Sequence, residues 1–257
     1  MIREHLFEKR LPTDPLFHWR GGAVLRLEGF ADGVFAVVVA LLIATASVPR
    51  NFHELWLTLR DLPVFLVTFL FVLMCWHDHY LYFRRYGLED GVTKVLNGAF
   101  LFLVAFFAFP LKFLATFLWY TILGIDVTSM FAVQSQLSPL PDWLASPHEQ
   151  RWAMMAFYSL GVLGIYAVLS LMLLRAHQVR EELELDVLEV HLTQGALRHQ
   201  LVMVMVAALS LLLLFIFDKP SWAGMVYFLL GPLHAAVGFS NGAKTAKLSQ
   251  ELAADES

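Results

Sequence analysis

From Gly33 to Val48 the chain carries no ionisable side chain, and three charges, Arg26, Glu28 and Asp32, stand immediately before that run. At about 1.5 Å per helical residue the run approaches the roughly 30 Å of a bilayer's hydrocarbon core. A stretch of this kind reads as a membrane span. Five further apolar windows follow, so the predicted spans are about 30–48, 62–83, 95–123, 152–174, 199–217 and 221–239. With 58% hydrophobic and 16% charged residues in 257, the chain is too apolar for a water-soluble domain of its length. The expected fold class is all-α, an integral membrane protein with six transmembrane helices.

Basic residues set the expected orientation. Arg3, Lys9, Arg10, Arg20, Arg26, Arg84, Arg85, Lys94, Arg175, Arg180, Arg198, Lys244 and Lys247 fall on one side of such a topology. The other side has only Arg50, Arg60, Arg151 and Lys219. Because cytoplasmic loops retain excess Lys and Arg, both termini are predicted to be cytoplasmic. The expected organisation is an N-terminal segment 1–25, a six-helix domain 26–242 and a tail 243–257.

Several segments carry readings of their own. Residues 1–23 are polar and mixed in charge, so no cleavable signal is expected. The third span contains Pro110 and Lys112, and proline predicts a kink or tilt there. Asp218, Lys219 and Pro220 read as a tight turn between the last two spans. The Pro-containing stretch 124–150 reads as a surface loop, and 176–198, with Glu181, Glu182, Glu184, Asp186 and Glu189, as an extension of the fourth helix with a solvated acidic face. Cys75 lies in an apolar run and is expected to pack rather than react.

Chemistry is confined to a few positions. Along the first span Gly29, Gly33, Ala36, Ala40 and Ala44 recur at steps of three and four, giving one face almost free of side chains. That face is either a close helix contact or a wall. In an inside-outside-inside path, Asp32 and the Trp76-His77-Asp78-His79 stretch reach the same depth. Charges near hydrocarbon are costly unless paired, so Arg26, Asp32 and His79 are expected to cluster with Trp76 over them as a structural clamp. His77 and His79 diverge by about 200° on a helix, so no metal is expected. No catalytic elbow, zinc helix or phosphate loop is present, which argues against an enzyme, and no cofactor is expected. No basic cluster points to nucleic acid. A proton-coupled carrier or a non-conducting scaffold stays open at this stage.

Arg26-x-x-x-Phe30-Ala31-Asp32 resembles the Arg-x-x-x-Phe-Ser-Asp signature of the transmembrane protein 175 family of potassium channels, with Ala31 in the serine position. Trp76-x-x-His79, Asn97 and Phe109-Pro110 fall where members carry similar residues, so the resemblance spans roughly residues 24–115. It implies a homotetramer in the plasma or inner membrane, surrounded by lipid and conducting potassium ions along a central path lined by the first span. It gives the motif residues, Phe30 among them, a supporting role. It puts the constriction at Val37, Ala40 and Ala44, where members usually carry a bulky aliphatic first and a threonine second. The nearest hydroxyls, Thr45 and Ser47, lie toward the far end of the span.

The topology is tested by labelling. Cysteine introduced at Ser138 should react with an impermeant thiol reagent applied outside, and cysteine at Ser249 should not; the opposite pattern overturns it.

Overall fold

The computed structural model describes residues 16–22, 26–44, 48–132 and 140–255. Among them every regular element is helical. In order these are α1 Arg26–Ala44, α2 Phe52–Arg60, α3 Leu62–Tyr86, α4 Gly91–Ile122, α5 Ser129–Ala132, α6 Pro147–Gln178, α7 Val187–Phe217, α8 Pro220–Met225 and α9 Leu230–Asp255, with 3-10 turns at Asp142–Leu144 and Val226–Leu229. Six helical runs are long and apolar enough to cross a membrane: α1, α3, α4, α6, α7 and the continuous run Pro220–Leu252. Hydrocarbon offers backbone groups no partner, and helices satisfy theirs internally.

Local sequence explains most boundaries. Asn51, Asp90, Ser146 and Asp186 each cap a helix start by accepting the N–H three residues on. Ser146 with Glu149 and Asp186 with Glu189 form complete capping boxes. Gly87 closes α3 in the left-handed region at φ 59°, and Asp218 closes α7 at φ 50°. Pro220 then opens α8, so the expected tight turn at 218–220 is present. α4 runs through Pro110 without ending, and the Tyr158 hydroxyl donates to the Pro110 carbonyl.

The segment 176–198 differs from its expectation as an extension of the fourth helix. α6 stops at Gln178, residues 179–185 turn with Glu184 at φ 50°, and α7 begins at Val187. The Asp186-x-x-Glu189 capping box is the reason, because it starts a helix where continuous apolar periodicity suggests none. Nor is the acidic face wholly solvated. Glu189 is 2% exposed and takes an ion pair from Arg20 at 2.6 Å, together with the His18 N–H at 2.7 Å. The stretch 124–150 is also partly built, with Phe131 of α5 packed edge-on against Phe113 and Phe117. At the other end α9 continues through Gly242 to Asp255.

The centre of the bundle is α6 against α7, with α4 on α6, α3 on α4 and α9 on α7; among the described residues α1 packs chiefly on α3 and α4. Small residues permit the close approaches that membrane helices favour. At Gly161 of α6 a Cβ would stand 1.9 Å from the Phe107 ring of α4. Gly161→Ala should therefore cost about 1–3 kcal/mol through overpacking, with Phe107→Leu restoring part of it. Thermal unfolding of the detergent-solubilised protein reads both, and an unshifted melting temperature in Gly161→Ala would contradict this packing.

Candidate functional site

α1 has two opposite faces. Ala31, Phe35, Val38 and Leu42 are buried at steps of three and four, and with Glu28 they form the seam against the rest of the subunit. About 200° around the helix, Gly29, Gly33, Ala36, Val37, Ala40 and Ala44 are uncovered, with Val37 57% exposed. A Cβ added at Gly29 or Gly33 would meet nothing within 4 Å. Among the described residues the small-residue face is therefore not a packed seam. Val37, Ala40 and Ala44 lie together on it, with no other described helix in front of them.

Contacts are built before and at the end of α1. Before it, residues 16–22 form a strap across the ends of α3 and α7. Phe17 packs edge-on to Tyr86 at 5.6 Å, the Gly21 N–H donates to the Arg84 carbonyl at 3.1 Å, and Arg20 reaches Glu189 and the carbonyls of Leu183 and Glu184. Gly21 is required there, since a Cβ would sit 2.4 Å from the Phe83 carbonyl oxygen. At the far end Lys112 Nζ stands 3.5 Å from the Leu42 carbonyl, where the helix dipole favours a cation. Thr45 and Ser47 lie outside the described residues.

The expected inner cluster separates into two pairs. Trp76 Nε1 donates to Asp32 Oδ1 at 2.9 Å, and the Trp76 ring stacks on Tyr80 at 5.5 Å. His79, 2% exposed, instead bonds Asn97 Oδ1 through Nε2 at 2.7 Å, lies flat against Phe100 and is edged by Phe35. Arg26 is exposed and makes no ion pair with Asp32 among the described residues. Phe30, 64% exposed, points away from the bundle. The residues around His79 also diverge: His77 is exposed, and Asp78 accepts from Gln200 at 3.1 Å. The buried core side of α1 thus meets a histidine–amide pair, while the motif carboxylate is held by an indole.

Sequence reasoning did not find the Arg20–Glu189 clamp or a stacked His199–His234 pair with their Nδ1 atoms 2.9 Å apart. For the first, the Asp186-x-x-Glu189 box was a local signal that a helix starts there, but nothing local marked Arg20 as its partner.

Together these features define a polytopic helical membrane protein whose first span offers a continuous, side-chain-poor wall while its other side is locked into the bundle. The family model described as endosomal/lysosomal potassium channel TMEM175 matches residues 26–108. A potassium channel of Marivirga tractuosa is 32% identical over 251 residues, covering 96% of this chain and 99% of that protein. A potassium channel of Chamaesiphon minutus is 32% identical over 104 residues, 36% of this chain and 50% of its own length. The crystal structure of a variant of the potassium channel MtTMEM175, in complex with a nanobody–MBP fusion protein, superposes with a TM-score of 0.74 at 33% identity, covering 90% of this chain and 98% of that one. The chain belongs to the TMEM175 family.

The His79–Asn97 pair is open to a double-mutant cycle. Asn97→Leu alone leaves a buried ring nitrogen without its partner and should destabilise by about 1–3 kcal/mol. Adding His79→Leu should recover part of that loss, so the two single effects will not sum. Strict additivity in thermal melts would show the pair to be energetically uncoupled.

Proposed function

We propose that the protein is a passive potassium channel whose path is lined by the uncovered face of α1 from each of several identical subunits. The observation that carries this reading is that face. It is continuous, nearly without side chains, and opposite the seam that fixes the helix. One copy encloses nothing with it, so closed rotational symmetry must supply the remaining walls. Four copies is the number that the resemblance implies. The relatives' description as potassium channels supports the ion, and the relative of matching length supports reading the whole chain, not only its first half, as the channel.

On this reading residues 26–242 are the conducting domain, and 1–25 and 243–257 lie in the cytoplasm of a cell whose plasma or inner membrane holds the protein. Val37, Ala40 and Ala44 line the constriction. Asp32, Trp76, His79, Arg26 and Phe30 support α1 or its neighbours and do not contact the ion. No enzymatic step is involved.

Selectivity follows from what the wall lacks. A dehydrated potassium ion needs oxygen atoms to replace its lost water, whereas an apolar constriction discriminates only by the dehydration it forces and can close by dewetting. Val37, Ala40 and Ala44 offer no side-chain oxygen, so the preference for potassium over sodium should be weak. Ala40→Thr should raise that preference and Val37→Leu should lower the conductance, read as bi-ionic reversal potential and single-channel current in reconstituted bilayers. If neither substitution changes either quantity, Val37 and Ala40 do not line the path. Liposomes under a potassium gradient test conduction itself: potassium efflux that needs a proton ionophore to dissipate the opposing charge marks a channel, and efflux obligatorily coupled to protons does not.

A further inference from the structure

At the end of the bundle away from Gly21 and Asp255, α4, α5, the turn Asp142–Leu144 and α6 surround an open cleft of about 330 Å3. That is the lower end of the range in which small-molecule sites fall. Its walls include Phe113, Met130, Phe131, Met154 and Phe157. The polar groups that reach it are already committed: Gln150 Nε2 donates to the Leu144 carbonyl at 3.0 Å, and the Tyr158 hydroxyl to the Pro110 carbonyl. Nothing inside asks for a polar ligand, and the two methionines can adapt their shape to a flexible chain.

Beside one wall of the cleft is a cation. The Arg151 guanidinium lies 5.7 Å from the centre of the Phe131 ring, which itself lines the cleft, and no carboxylate is within ion-pair distance of it among the described residues. The depths of the two features differ in a telling way. Arg151 is about one helical turn into α6, roughly 6 Å from its start at Pro147, whereas Phe157 is about 15 Å in. A span's first turn lies at headgroup level and its third within hydrocarbon. An unpaired, planar bidentate donor at headgroup depth above an apolar slot at acyl depth matches a phosphate with a chain beneath it.

We propose that this cleft binds one anionic phospholipid from the surrounding leaflet, with an acyl chain between Phe113, Phe131, Met154 and Phe157 and its phosphate on Arg151. The site is separate from α1, and its occupancy does not depend on conduction.

The test is retention of lipid by the intact, detergent-purified protein incubated with phosphatidylglycerol or phosphatidylcholine of the same chains, read by native mass spectrometry with thermal unfolding alongside. The wild type should hold phosphatidylglycerol about fivefold more tightly, the scale of one cation at a lipid phosphate. Arg151→Gln should bring it to the phosphatidylcholine level. Arg50→Gln, which removes a cation at the same end but outside the cleft, should leave the preference intact. Ala153→Phe, which fills the cleft with Arg151 in place, should reduce retention of both lipids; should it fail to fold, Met154→Trp makes the same test. Equal retention of the two lipids by the wild type overturns the proposal. So does a preference that survives Arg151→Gln, or undiminished retention with the cleft filled. Cross-linking between cysteines placed at Met130 of neighbouring copies, formed in lipid-free protein, would assign the cleft to a second subunit and also overturn it.

Discussion

α1 is fastened to its own chain along one seam, and the rest of the architecture depends on that one-sided attachment. Ala31, Phe35, Val38 and Leu42 are buried, and among the described residues α3 and α4 are the helices that pack most closely on the span. Inside a bilayer such a seam gains little from the hydrophobic effect, because lipid tails are as apolar as leucine; close packing and interhelical hydrogen bonds must hold it. The seam is accordingly rich in shape-defined contacts, with Phe35 against Phe100 and the edge of His79. A helix gripped on both faces could not present an uncovered wall.

Polar groups refine that grip. His79 Nε2 and Asn97 Oδ1 pair in a site where each of these atoms would otherwise be buried without a partner, and Asp32 is tied to the indole of Trp76. The Arg20–Glu189 pair is more deeply placed than most surface ion pairs. It gathers the strap before α1, the turn at 179–185 and the start of α7 into one knot. A buried pair of this kind adds little net stability over an apolar replacement, but losing one partner strands the other, which makes it a strong constraint on arrangement. The strap of residues 16–22 is therefore placed by residues far away in sequence.

Much of this was legible in the order of residues. The six spans, the turn at Asp218 to Pro220 and the burial of Cys75 follow from apolar run length and turn chemistry, which act over a few residues. The start of α7 at Val187 was written in the Asp186-x-x-Glu189 box, yet charge density there suggested a solvated surface. Glu189 escaped that reading because its partner, Arg20, is distant in sequence and ion pairing leaves no local trace. Similarly, Arg26, Asp32 and His79 share a depth, but depth alone does not decide rotation. His79 turns toward α4 and Asn97, whereas Arg26 and Asp32 stay exposed.

By itself the sequence determined what each helix is and where it can lie: hydrocarbon admits only apolar runs with internally satisfied backbones, so length and composition suffice. It also determined that one face of the first span is nearly bare, since glycine and alanine at helical spacing permit nothing else. Only the tertiary structure decided whether that bare face is covered. A small-residue stripe serves equally as a tight contact or as an open wall, and the choice depends on which neighbours the packing of α3, α4, α6 and α7 leaves within reach. Here they take the opposite side of α1, and the stripe of Gly33, Ala36, Ala40 and Ala44 is left uncovered by the described residues.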